Sequence, residues 1–559
     1  MSHRTGISSL SPLAPQSPLY QGPFGRLFPD LAAWSPRRGP SADPHRPISD
    51  EEADALLAEL ADTITERPGR TAEAIVAAGP GPDTEFDSGM PAGYTYFGQF
   101  VDHDITFDPA SSLQRATDPN GLLNFRTPRL DLDCIYGRGP GDQPYLYDQR
   151  RDHAGELLVD PARDSEGNAL CVTVDGEEVA FHDLPRNSQG RALIGDMRND
   201  ENAMVSQLQL AFLMAHNALV ERARERIDAE RAAGMGAPVA SENEPFERAR
   251  RTLRWLYQHV FWFDFVQRVC DPDVWEHALH DPAGDDAVAG RKTWATGFGD
   301  VYSWRDRPFI PIEFSVAAYR FGHTLVRNSY RTNASQGGKE IPIFALAPDG
   351  ADLHGFRPMG AERLIQWDRY LPMGNPDAGF PQRARRFDAL LSNSLSALDE
   401  DLDPSSFLNR LAFRNLKRGW RMGLPSGTAV AKALGVEPIA IPADRDALWL
   451  YILTEAQEQQ QGRRLGTVGS MLVASTFAGL LKGDPTSWVN QEPGWMPGED
   501  SLLWGYDDNR DSTEQVDGSR PWTLASIIRI AGVPVADAPF VALGAQGGAA
   551  QMGSSIQAA

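Results

Sequence analysis

The sequence predicts a mainly α fold: a single large helical domain with few short strands. Three observations carry that expectation. Apolar residues recur at the helical period over many long segments, whereas alternating apolar and polar runs are few and short. Polar residues suited to chemistry come in pairs three residues apart, a spacing that puts both on one helical face. With 559 residues and 41% hydrophobic content, the chain can also bury a substantial core.

The elements follow in order. Residues 1–47 are rich in Pro, Ser, Gly and Arg, the composition of an extended, flexible arm wrapping the body. Ser49 and Asp50 cap a helix running to about Thr65, with Ala53, Leu56, Leu57, Leu60 and Ile64 on its apolar face. Leu170 to Val174, then Asp175-Gly176, then Glu178 to Phe181 read as a β-hairpin. Helical patterns cover 202–233, 245–270, 313–328, 361–367, 383–397, 405–422, 444–461 and 467–481. Gly, Ser and Thr interrupt the apolar stretch Leu465 to Leu481, so a buried helix is expected there and not a membrane span. The Gly/Ala/Gln/Ser-rich tail, 543–559, is expected to be mobile. Residues 48–542 form the main domain, without internal repeats.

Gly98-Gln99-Phe100-Val101-Asp102-His103-Asp104 places an imidazole between two carboxylates beside an amide. On a helix, Gln99, Asp102 and His103 share one face and Asp104 turns away, so one segment can serve two sites. The His-Asp pair alone also suits a metal-dependent phosphohydrolase of the HD type. Gly195 to Glu201 then pairs Arg198 with Glu201, Phe314 to Asn328 pairs Arg320 with His323, and Arg414 to Arg418 pairs Asn415 with Arg418. Three such pairs point to one shared, buried ligand with acidic and basic edges.

In this order the motifs, over roughly residues 90–505, resemble the animal-type haem peroxidases of the peroxidase-cyclooxygenase superfamily, in a bacterial form. The resemblance implies that 48–542 is a haem peroxidase catalytic domain. Its activity would be reduction of hydrogen peroxide and oxidation of small donors through a ferryl intermediate, in a response to oxidative stress. It implies that His103 is the distal histidine, Arg198 the distal arginine and Gln99 the distal-pocket glutamine that orders water or halide. His323 would be the proximal iron ligand, partnered by the carbonyl of Asn415, with Arg320 and Arg418 near the propionates of haem b. Asp102 and Glu201 would form ester bonds to the haem. The chemistry suits these residue types. A neutral imidazole can take a proton from one peroxide oxygen and return it to the other, and a fixed guanidinium stabilises charge on the departing oxygen. Asn202 stands where the mammalian halide-oxidising members have the methionine of a sulfonium link. That removes a third bond and disfavours chloride, leaving bromide, iodide, thiocyanate and phenols as donors.

Thr127, Asp131 and Asp133, with the carbonyl of Arg129 between them, offer the hard oxygen ligands that Ca²⁺ takes, and Asp104 could complete the shell. This is similar to the family's calcium loop, although Asp133 stands where a serine is usual. The competing reading is a half-buried strand of alternating polarity. His216 and His259 read as core residues, and His153, His182, His277 and His280 as surface or loop residues.

The formal net charge of −23 argues against nucleic acid and anionic membranes as partners. Three cysteines, Cys134, Cys171 and Cys270, make neither a disulfide framework nor a zinc or Cys-x-x-Cys site. No basic region followed by an apolar run opens the chain, so the expected location is cytoplasmic, or exported without a classical signal. Two further alternatives stand beside the hydrolase. A fatty-acid dioxygenase of cyclooxygenase type would carry its radical tyrosine three residues before the proximal histidine, where this chain has Arg320, with Tyr319 one position earlier. A non-enzymatic haem and calcium-binding module would need no His103/Arg198 pair.

Overall fold

A computed structural model describes residues 24–36, 48–66, 86–107, 124–174, 177–235, 243–279, 294–296, 299–304, 308–344, 352–375, 379–396, 398, 406–506, 522–535 and 539–543. Most of the expected arm, the hairpin turn at 175–176, His280 and the tail from 544 lie outside these residues.

Helices dominate, as expected. The principal ones are α1 (Asp50–Thr63), α2 (Gly93–Ile105), α3 (Ala203–Ala232), α4 (Glu244–Val260), α5 (Leu411–Arg421), α6 (Leu448–Gln460) and α7 (Thr467–Gly483). Ser49 caps α1 by accepting from Glu52 N at 3.1 Å, and three acidic residues in its first turn complement the helix dipole. Its buried face carries Ala53, Leu57, Leu60 and Ala61 and packs on α5, where Lys417 pairs with Asp54 at 2.7 Å. Asn202 caps α3 through Val205 N at 3.0 Å. In length and composition α3 could cross a membrane, yet 83% of its most apolar window is buried inside the fold, so it is a core helix. The stretch at 467–483 is likewise a buried helix.

Helix α2 runs through the centre. Phe100 stacks on Phe212 of α3 with ring centroids 4.6 Å apart, and Phe97 meets Phe265 edge-on at 5.5 Å. These contacts fix which face of α2 is left for Gln99, Asp102 and His103. The strands are short and mostly paired two by two; the hairpin forms with Cys171 opposite Ala180 and Val174 opposite Glu177, and Val541–Ala542 adds a third strand beside Leu170 and Cys171. Residues 24–25, within the expected arm, pair in parallel with 310–311, and Arg26 donates to the carbonyls of Met422 and Gly423.

Three helical expectations are corrected. Residues 313–328 form a π-helical turn, Glu313–Ala317, followed by a 3-10 segment, Ala318–Leu325. Burial of the Glu313 carboxylate, which accepts from Leu27 N at 3.0 Å and Phe28 N at 3.2 Å, holds the widened turn. Residues 383–397 begin as a strand, Arg383–Arg385, paired antiparallel with Asp87–Pro91 in the approach to α2. At 361–367 only a single 3-10 turn, Ala361–Arg363, precedes another at Trp367–Arg369. Periodicity marks a buried face but not the backbone partners that decide helix or strand.

Candidate active site

A cavity of about 590 Å³ lies between α2, the segment 198–202, the 313–325 segment and α5. Gln99, Asp102 and His103 line it from α2, Arg198 and Glu201 from the second segment, Arg320 and His323 from the third, and Arg418 from α5. Side chains more than 300 positions apart thus meet at one site. The 3-10 geometry explains why Arg320 and His323 still share a face, because residues three apart eclipse in that helix.

On one wall, His103 is 6% exposed, and its Nδ1 lies 2.7 Å from Asn199 Oδ1. Burial, then the nearby Arg198 charge, lower its pKa to about 4, so the imidazole is neutral at pH 7. Arg198 donates through Nη2 to the carbonyls of His103 at 3.0 Å and Thr106 at 2.6 Å, and its Nε and Nη2 grip Asp196 at 3.1 and 2.7 Å. Burial opposes the charge on Asp196, but Arg198 and Arg126 overcome it and hold the carboxyl well below its usual range. Gly195 is required here, since a Cβ at that position would sit 2.5 Å from the carbonyl oxygen of Cys134. Gln99 donates through Nε2 to Glu201 and accepts from Asn202 Nδ2 at 3.1 Å. Burial pushes Glu201 up to about 7, and Asp102 accepts from Thr106 Oγ1 at 3.0 Å.

On the 313–325 segment, burial and the Arg320 charge lower the His323 pKa to about 3. Asn415 lies beside it, with its amide nitrogen toward the ring where its carbonyl oxygen was expected. Nδ2 donates to His323 Nδ1 at 2.8 Å, and Oδ1 accepts from Arg320 Nη1 at 3.1 Å. Burial, then the neighbouring Arg418, lower Arg320 to about 10. Haem fits this arrangement. Two guanidiniums that line the cavity repel one another, which propionates would relieve, and two imidazoles line the same cavity from different segments.

Asp104 faces away from the cavity, as expected. The ligand atoms of Asp104, Asp131 and Asp133 lie within 4.8 Å of one another. Thr127 donates to Asp131 Oδ2 at 2.9 Å, and the Arg129 charge acts on the same carboxyl. Burial raises all three carboxyls, Asp104 to about 7, with repulsion adding to it: from Asp131 on Asp104 and Asp133, and from Asp484 on Asp131. His103 lines the cavity whereas Asp104 sits with Asp131 and Asp133, so the two do not present a shared metal pair of the kind a hydrolase requires. His216 is a core residue, 3.1 Å from Tyr136 Oη and 3.0 Å from the Gly155 carbonyl.

Sequence reasoning passed over Asn199, although it lies inside a quoted motif. It also read Asn202 only as a missing methionine, whereas its N-cap position before an apolar helix was a usable signal.

Comparison with known proteins matches residues 111–439 to the family described as animal haem peroxidase. Helix α2, with His103, precedes the matched segment. A peroxidase-like protein of Margaritifera margaritifera is 26% identical over 404 residues, covering 62% of this chain and 46% of that protein. Thyroid peroxidase of Rattus norvegicus is 24% identical over 400 residues, covering 67% and 40%. The chain thus spans less than half the length of these curated relatives. Among solved structures, peroxidase A from Dictyostelium discoideum superposes with a TM-score of 0.54 at 15% identity, covering 89% of this chain and 95% of that one, a likeness of fold. These relatives are eukaryotic and overturn the expectation of a bacterial form. The motifs behind that expectation report haem chemistry and carry no mark of lineage.

Proposed function

Since this chain belongs to the animal haem peroxidase family, we propose that it is a haem-dependent peroxidase that reduces hydrogen peroxide and oxidises small donors: bromide, iodide, thiocyanate or phenols. The observation that carries the reading is the pair of imidazoles that line one cavity from different segments, one beside Arg198 and the other hydrogen-bonded by Asn415.

Haem held by His323, with Arg320 and Arg418 at its propionates, would supply the redox centre at which peroxide is cleaved. The chain's own residues handle protons and charge. His103, neutral at pH 7, accepts the proton of bound hydrogen peroxide and passes it to the departing oxygen. Arg198, fixed by Asp196 and two carbonyls, opposes the negative charge that develops there. Gln99 is held between Asn202 and Glu201, ready to order water or halide. Asp102 and Glu201, which line the cavity, would form the ester bonds to haem, and the clustered Asp104, Asp131 and Asp133, with Thr127 and the Arg129 carbonyl, would hold calcium.

The test is an absorption spectrum of protein reconstituted with haem, before and after one equivalent of hydrogen peroxide. The expected result is a Soret band that shifts with peroxide and returns on adding iodide, bromide or a phenol. Failure to bind haem would sink the reading, and conversion of a fatty acid to its hydroperoxide would favour the dioxygenase. In the same preparation, esters leave haem on the chain after acid-acetone treatment, whereas a non-covalent cofactor extracts.

A further inference from the structure

The distal wall holds a chain of side-chain amides that neither the family match nor the sequence motifs assign a task. Its far end is a backbone carbonyl, that of Cys134, which can only accept. Gln209 donates to it through Nε2 at 3.2 Å, so Gln209 must present Oε1 on its other side. Asn199 donates through Nδ2 to that oxygen at 2.8 Å, which turns Asn199 Oδ1 toward His103 Nδ1, 2.7 Å away. An amide oxygen cannot donate, so the short contact requires a proton on Nδ1. The other ring nitrogen, Nε2, then carries the lone pair, on a ring that lines the cavity.

We propose that Asn199, anchored through Gln209 on the Cys134 carbonyl, is the positioning residue that locks His103 in the tautomer able to accept a proton from a ligand in the cavity. The inference rests on the peroxidase reading for its use, but its geometry stands independently. Reversing the tautomer requires Asn199 to flip, which sets its oxygen against Gln209 Oε1. Flipping Gln209 as well sets Oε1 against the Cys134 carbonyl. Asn199, Gln209 and Cys134 are each fully buried, so no solvent is at hand to relieve either clash. The anchor is itself fixed, because Cys134 lies in the short helix Asp133–Tyr136 and its N–H approaches Asp104 Oδ1 at 3.5 Å. The acceptor is therefore set by a directional chain that ends on the backbone, whereas Arg198 holds the carbonyl of His103 and leaves its ring free to rotate.

Two readouts test this. In protein with ¹⁵N-labelled histidine, without haem, the His103 resonance, assigned by its loss in His103→Gln, should show the proton on Nδ1 at pH 7. In Gln209→Met it should show a mixture. In the ferric holoenzyme, hydrogen cyanide must give its proton to the distal base as it binds. Asn199→Leu should therefore slow cyanide association by at least about tenfold while haem uptake stays at the wild-type level. A wild-type ring protonated on Nε2 overturns the proposal, as does an Asn199→Leu enzyme with the wild-type cyanide rate. If Asn199→Leu fails to fold, Gln209→Met decides through the same two measurements. Wild-type protein that takes up no haem would refute the peroxidase reading, yet the tautomer measurement would still decide the inference.

Discussion

His103 is useful at neutral pH because it is buried. An exposed histidine would be partly protonated at pH 6.5, whereas burial and the Arg198 charge bring this one to about 4. The rate of reaction with peroxide is therefore expected to stay level from pH 8 to about one unit above that value and to fall below it. Stopped-flow rates at constant ionic strength check this, and a break near pH 6.5 would show that burial does not govern the base. The histidine's folded pKa lies below its unfolded value, so its contribution to stability is complete above about pH 6.5 and is lost as pH falls toward 4. His103→Ala should lower the peroxide rate by about 10²- to 10⁴-fold and leave haem uptake intact. Undiminished reaction would remove the assignment. The pairs Arg198/Glu201 and Arg320/His323 were legible in the sequence because spacings of three encode a shared face. Asn199 was not, because its role depends on a contact 96 positions away and on the direction of two amides.

Between elements, a buried charge marks where α6 meets α7. Glu455 of α6 accepts from Val468 N at 3.0 Å and Gly469 N at 3.1 Å, the free N–H groups of the first turn of α7. Even so, burial outweighs these bonds and raises its pKa to about 7. A carboxyl raised in the folded state favours folding when protonated, so the wild type should lose stability as pH rises from about 4.5 through 7. Glu455→Gln cannot ionise. Its unfolding free energy should rise relative to that of the wild type between pH 5 and pH 8, by on the order of 1–3 kcal/mol. Urea denaturation at both pH values measures it, and a pH-independent difference would mean that the charge is solvated. The same scale shows why some elements escaped the sequence. α3 and α7 were readable from long periodic patterns, but the strand at 383–385 is set by its partner at 87–91, and the π turn at 313–317 by a carboxylate accepting from residues 27 and 28.

Across the whole molecule, the catalytic wall and the acidic cluster are two faces of one helix. Asp104 follows His103 directly, and its neighbours Asp131 and Asp133 come from the segment whose Cys134 carbonyl anchors the distal amides. In a chain of net charge −23, a buried carboxyl and two half-buried ones, pushed upward by burial and by neighbouring carboxylates, are only partly offset by Arg126, 3.3 Å from Asp133, and by the Arg129 charge, which leaves room for a further cation. Calcium is therefore expected to act as a strut between α2 and residues 127–136. Binding to the folded state alone stabilises it by RT ln(1 + [L]/Kd), about 3 kcal/mol at a hundredfold excess over Kd, so chelation should lower the melting temperature by several degrees. The effect should reach chemistry as well as stability, because loosening 127–136 loosens the Cys134 anchor. EDTA should then slow the peroxide reaction while haem remains bound, and excess Ca²⁺ should restore it. Asp131→Asn, which removes one charge without touching the cavity, should weaken the response to Ca²⁺. A melting temperature indifferent to both EDTA and Ca²⁺, with no metal found by elemental analysis, would mean that protons hold these carboxyls in place of a metal. In that case the strut between α2 and residues 127–136 would be the Leu132 N–H, which Asp104 Oδ2 accepts at 3.2 Å, while Tyr257 Oη of α4 donates to the same oxygen at 3.2 Å.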